Sequence, residues 1–122
     1  EWGKTGYGVK EKLSALAQAR YQQDEIIDNI HLEVKQAYLN TKESEQNIMA
    51  VKKAIEQARE NFRISEERYK EQMDTSTDVL DAQTLLSRTM TNYYNALYDF
   101  KISKAYLYWA MGRAEEVETG LE

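Results

Sequence analysis

Two aspartates three residues apart, Asp78 and Asp81, lie in an otherwise apolar run just after a short polar stretch. A pair of carboxylates can divide the roles of acid and base in catalysis. Here, however, no nucleophile and no second polar cluster in the sequence accompanies the pair. Carboxylates are also common in the first turns of a helix, where the macrodipole favours negative charge. We therefore expect no catalytic residue in this chain and no enzyme activity.

A second pattern that could carry chemistry is Asp28-x-x-His31, which is spaced like half of a di-iron carboxylate motif. Such sites need two Glu-x-x-His units on different helices. The chain contains one histidine and no cysteine, so His31 is expected to be a surface or seam residue. We expect neither a metal site nor a cofactor.

The composition indicates a helical protein. The chain of 122 residues contains no proline, and glutamate, glutamine, lysine, alanine and leucine are frequent. Its net charge of −5 and the lack of a basic cluster argue against nucleic acid as a partner. No apolar run approaches the roughly 18 to 20 residues that a membrane-spanning helix needs. The start, EWGKTGYG, has no initiating methionine and no signal peptide, so we expect an excised segment or mature fragment.

A heptad pattern predicts one long helix from about residue 9 to 70. Uncharged residues recur there in alternating steps of three and four, which is the period of a coiled-coil seam. The series is Ile27, Ile30, Val34, Ala37, Thr41, Ser44, Ile48, Val51, Ile55, Ala58, Phe62, Ser65 and Tyr69. Several of its members are small, so a partner helix could approach closely.

A turn at about 71–76 is expected to lead into a second helix at about 77–112. Thr75 and Asp78 have the spacing of a capping box, and Gly112 is expected to end the second helix. Two rows of residues run along this helix. The first is Val79, Gln83, Leu86, Met90, Tyr93, Leu97, Phe100, Lys104, Leu107 and Met111. The second is Tyr94, Tyr98, Ile102, Ala105 and Trp109. Two adjacent rows predict neighbours on two sides.

The predicted fold is therefore all-α, a long antiparallel coiled-coil helical hairpin over residues 9–112. Glycine-rich residues 1–8 are expected to form a loop or the exit from a strand, and 113–122 a polar tail. The first helix would span roughly 90 Å and the second roughly 50 Å, at about 1.5 Å per residue. Part of the first helix would then need another partner. The alternative is a spectrin-like three-helix bundle, a structural or adaptor module, with a break near residues 42–44.

The turn and its flanks resemble the second repeat of the TolC-like outer-membrane efflux proteins. The matching elements are Ala-x-x-Asn-Phe at 58–62, Tyr69, Asp-Val-Leu-Asp-Ala-Gln at 78–83, and Leu-x-x-Ala-x-Gly at 107–112. Upstream, LEVKQAYLNTKESEQNI is similar to the descending helix of the family, and EWGKTGYGVKEKLSALAQA to its exit from the last barrel strand. The similarity covers nearly the whole chain.

The resemblance implies a trimeric outer-membrane channel in which this segment contributes to a periplasmic tunnel of twelve helices, attached to the outer membrane through a barrel outside this segment. Asp78 and Asp81 match the carboxylates that narrow the pore at the periplasmic tip, and Tyr69 matches a tyrosine that helps to hold the tip closed. The channel would passively conduct substrates, of a class that the resemblance leaves open. A fragment without the rest of the protein could form another homo-oligomer.

The resemblance also implies two partners, a periplasmic adaptor (membrane fusion) protein and an inner-membrane transporter. Their expected contacts at the tip are Met73, Asp74, Thr75, Ser76 and Thr77. Two positions depart from the family pattern. Asp74 stands where the best-known member carries an arginine, and Gln72 replaces the usual turn glycine. The network that closes the tip must therefore differ.

Overall fold

The protein consists of two long helices in a computed structural model that describes residues 2–120. Helix α1 is Trp2–Lys70 and helix α2 is Ser76–Thr119. No strand occurs within the described residues. The prediction of an all-α helical hairpin is confirmed, while the three-helix alternative is wrong because α1 continues without a break through residues 42–44. Neither helix has a stretch apolar and long enough to cross a membrane within the part of the chain described.

The chain divides into two compact units, one of which, Ala37–Leu107, is an antiparallel hairpin that carries the turn. In this unit the seam of α1 follows the predicted heptad series, with each member from Ala37 to Ser65 buried or half-buried. The last member, Tyr69, is 50% exposed because it lies on the final turn of α1. The heptad prediction is thus confirmed up to its last position.

The seam of α2 is built from smaller residues than predicted. Gln83, Lys104 and Met111 belong to the predicted first row, but their side chains are exposed. Ala82, Thr89, Ala96 and Ser103 lie in the seam instead. The residues of the second row, Tyr94, Tyr98 and Ile102 among them, are exposed. Within this chain α2 therefore packs on one side, and the predicted second neighbour stays a prediction.

The small seam residues allow close packing because their hydroxyl groups have partners. Ser44 and Ser103 share a hydrogen bond of 3.2 Å across the two helices. Thr41 and Thr89 donate to the carbonyl oxygens four residues earlier, at 2.8 and 2.7 Å. No buried side-chain nitrogen or oxygen lacks a partner among residues 2–120. Buried polar groups of this kind do not destabilise a core, since each exchanges a bond to water for one to protein.

The apolar core is thin along both helices. Five apolar residues are classed as buried in the described range, and four of them are alanine. They are Ile30, Ala37, Ala58, Ala96 and Ala110. Most of the larger apolar seam residues remain half-buried.

The other unit, Glu1–Gln36 with Tyr108–Glu122, has its own contacts. Arg113 forms an ion pair of 3.2 Å with Glu33 and lies over the ring of Trp109, 4.9 Å from its centroid. His31 lies 3.5 Å from the Glu118 carboxylate, which fits its expected place at the surface or seam.

Both predicted outer helix ends are wrong. Helix α1 already includes residues 3–8, because glycine weakens a helix by about 1 kcal/mol without excluding it. Helix α2 passes through Gly112 to Thr119, since Ala114 and Val117 continue its half-buried side and Glu118 contacts His31. Most of the predicted polar tail is thus helical, and residues 121–122 lie outside the described part. The predicted place of residues 1–8 after a strand stays a prediction.

In the same unit, residues 9–26 of α1 are exposed, including Leu13, Leu16 and Tyr21. This is the part of α1 that was expected to lack a partner within the chain.

Candidate functional site: the acidic tip

The candidate site is the tip, defined here as residues 69–81. It begins where α1 ends in a Schellman motif. The Met73 N–H donates to the carbonyl oxygen of Arg68 at 2.8 Å, and the Gln72 N–H donates to that of Tyr69 at 3.0 Å. This pair of bonds requires a left-handed residue between them, which is Gln72 with a φ of 62°. Glycine is usual at such a position because a Cβ there is strained.

Replacing Gln72 with glycine is expected to raise the free energy of unfolding by about 1 kcal/mol, because the left-handed conformation is unfavourable for a residue with a Cβ. Urea unfolding followed by circular dichroism measures the change. Gln83→Gly is the matched control. Gln83 is exposed inside α2, so the same substitution should there lower stability by about 1 kcal/mol. Equal effects at both positions would contradict the assignment of strain to Gln72.

Helix α2 begins with the predicted capping box, which the structure confirms. The Asp78 N–H donates to Thr75 Oγ1 at 3.2 Å. In return, the Asp78 carboxylate accepts from the Thr75 N–H and from its hydroxyl, both at 2.8 Å. Two donors at the helix start are thereby satisfied by the side chains of the same two residues.

The Asp78 carboxylate is held in its charged form by these bonds. The hydrogen bond from the Thr75 backbone, and then that from its hydroxyl, lowers the pKa of Asp78 below its ordinary value. A similar effect occurs two turns before the end of α1, where hydrogen bonds from Arg63 lower the pKa of Glu60 and raise that of Arg63. Because the Glu60 and Arg63 side chains are exposed to solvent, we assign that pair no role in stability.

Asp74 links the turn back to α1. Its carboxylate accepts a hydrogen bond of 3.2 Å from the hydroxyl of Ser65, which is one of the few buried polar residues. Asp74 itself is half-buried. At the position where the family pattern suggested an arginine, this chain thus has a carboxylate bonded within its own hairpin.

Asp81 lies one helical turn after Asp78, in a different setting. It lines an open groove of about 380 Å³ between the ends of the two helices, together with Arg68 and Asp74. Asn61, Ile64, Ser65, Ala82 and Leu85 complete the groove lining. Two carboxylates and one guanidinium therefore meet the same solvent-filled space. This combination can hold a charged or hydrogen-bonding group of a partner.

The structure brings together only some of the residues predicted for the site. Asp78 faces Thr75, whereas Asp81 lines the groove, so within one chain the two aspartates do not share a ligand site. Tyr69 is half exposed on α1, and Met73 is 71% exposed in the turn. Ser76 and Thr77 are exposed in the first turn of α2. Their predicted roles in closing the pore and in partner binding stay predictions.

Two residues of the site were missed from the sequence. Ser65 was recognised as a small seam residue, but nothing in its spacing to Asp74 indicated a hydrogen bond across the turn. Arg68 was passed over because it lies next to the series of seam residues. Within the described residues, no three histidine, aspartate or glutamate side chains come close enough to hold a metal ion.

Comparison with known families decides what kind of protein carries this tip. The family described as outer membrane efflux protein matches residues 1–113, which is nearly the whole chain. The chain belongs to the outer membrane efflux protein family. This is a family of efflux channels rather than of enzymes, and it agrees with the resemblance carried by residues 78–83. No curated protein and no solved structure matches the chain.

Proposed function

We propose that this segment forms part of the periplasmic helical wall of a trimeric outer-membrane efflux channel and that its tip forms the acidic mouth. The family match over residues 1–113 carries this proposal. Two further observations support it. The turn is fixed by bonds at both helix ends, and exposed Tyr94 and Tyr98 offer α2 a second face for a neighbouring helix.

The role of the tip follows from its charge. In a trimer, Asp78 and Asp81 supply six carboxylates around one opening. Such a ring concentrates cations and repels anions, and the effect is large where the opening is narrow. The hydrogen bonds from Thr75 keep Asp78 ionised. The channel itself acts passively. It conducts what an inner-membrane transporter and a periplasmic adaptor deliver, and it opens when neighbouring tips move apart.

Ion selectivity of the full-length protein in planar bilayers tests this proposal. We expect Asp81→Asn to lower the ratio of cation to anion permeability, because each trimer loses three charges at the mouth. Asp99→Asn is the matched control, as Asp99 is an exposed aspartate of α2 distant from the tip. Equal selectivity in the Asp81→Asn variant and the unaltered protein would refute the placement of Asp81 at the mouth. If no conductance is found at all, the channel proposal itself fails.

A further inference from the structure

Met73 is the one apolar residue between positions 70 and 78. Its side chain is 71% exposed at the end of the hairpin. In a Schellman motif, the residue at this position often packs its apolar side chain against the last turn of the helix. Here the corresponding residue of that turn is Arg68, and most of the Met73 surface remains in contact with water.

The backbone that carries Met73 is held on both sides. Its own N–H bonds to Arg68, and the preceding N–H, that of Gln72, bonds to Tyr69. On the other side, Asp74 is fixed by Ser65, and Thr75 is fixed by the capping box. A partner that binds Met73 therefore has little backbone freedom to remove, so more of the contact energy appears as affinity. Such preorganised apolar side chains are typical of binding hot spots.

The surroundings of Met73 are acidic. Between residues 66 and 81 there are six carboxylates and two basic side chains. Asp74 and Asp78 lie on one side of Met73 in the chain, and Glu71 on the other. A complementary surface must therefore provide an apolar site for the thioether and positive charge around it.

We propose that Met73 is the apolar anchor of the docking surface at the tip, and that its partner is a protein presenting an apolar cup with a rim of lysine and arginine. The inference rests on the proposed function, in which this partner is the periplasmic adaptor. The flexible, polarisable methionine side chain suits this role because it adapts to an irregular cup.

Photochemical crosslinking in cells that produce the full-length protein tests the inference. A diazirine amino acid is placed at position 73, 77 or 49 by codon suppression, and the crosslinked residues are identified by mass spectrometry. Position 49 is the matched control, because Met49 is also exposed, at 65%, but lies within α1 away from the tip. We expect position 73 to crosslink to apolar residues of an adaptor that are flanked by lysine or arginine, and position 49 to give no adaptor crosslink.

Substitutions of Met73 measure its share of the binding. With the probe at position 77, Met73→Glu should lower the adaptor crosslink at least about tenfold, as expected for loss of a hot-spot side chain. Met73→Leu should retain it within about twofold. Both variants should assemble normally, since Met73 is not part of the core.

The outcomes separate this inference from the proposed function. Adaptor crosslinks from position 77 that persist in Met73→Glu would overturn the role of Met73 and leave the channel proposal standing. Crosslinks from position 73 to another copy of this chain, or to acidic residues, would also overturn it. If neither position 73 nor position 77 reaches an adaptor, the proposed docking of an adaptor at the tip fails as well.

Discussion

Replacing Ala58 with leucine is expected to lower the free energy of unfolding by about 1–3 kcal/mol, the usual effect of adding volume to a packed core. Ala58 is 4% exposed. The hydrogen bond between Ser44 and Ser103 sets the register of the two helices. Position 58 lies 14 residues after Ser44 and position 89 lies 14 before Ser103, so Ala58 is level with buried Thr89. The three added carbon atoms would force the helices apart there.

Ala54→Leu is the control for this prediction. Ala54 is exposed on the same helix one turn earlier, and its replacement should change stability by no more than about 0.5 kcal/mol. Urea unfolding by circular dichroism compares the two variants with the unaltered chain. A similar result for both would mean that the helices do not approach closely at Ala58.

Replacing Thr75 with alanine is expected to destabilise the chain by about 1 kcal/mol at neutral pH, because α2 then loses its N-terminal cap. The loss should depend on pH. Hydrogen bonds from Thr75 lower the pKa of Asp78 in the folded chain, so their contribution is fully present above the unfolded value of about 3.9. It is lost as the pH falls through the lower folded value.

The measurement for Thr75→Ala is the difference in unfolding free energy from the unaltered chain, taken between pH 7 and pH 2. The difference should be constant above about pH 5 and shrink below about pH 4. Thr77→Ala is the matched control, because Thr77 is exposed two residues later in the same first turn. A pH-independent difference would show that the interaction with the Asp78 carboxylate does not stabilise the helix start.

The fold was largely predictable from the sequence because heptad spacing depends only on which residues avoid water. The series from Ile27 to Ser65 identified the seam of α1. In α2 the same rule misplaced Gln83 and Lys104, since alanine, serine and threonine are as well suited to a closely packed seam as larger residues and carry a weaker hydrophobic signal. Local propensity also failed at Gly112, where continued packing of α2 outweighs the preference of glycine for a helix end.

At the tip, the sequence predicted bonds between near neighbours but not the consequences of the turn. The capping box between Thr75 and Asp78 has a recognisable spacing. By contrast, the left-handed conformation of Gln72 was hidden because glutamine rarely occupies it. The bond from Ser65 to Asp74 depends on how tightly the chain reverses, which no spacing rule describes. The groove that contains Arg68 and Asp81 requires both helices in place.

A seam in which four of the five buried apolar residues are alanine removes little hydrocarbon from water. A single copy of the hairpin therefore remains close to its unfolding threshold, while Tyr94, Tyr98 and Ile102 stay available for burial by a neighbour. Any subunit that covers this row adds its binding energy to the stability of the folded chain. Folding and incorporation are thus thermodynamically linked, and a copy that finds no neighbour opens more often and is degraded sooner by proteases.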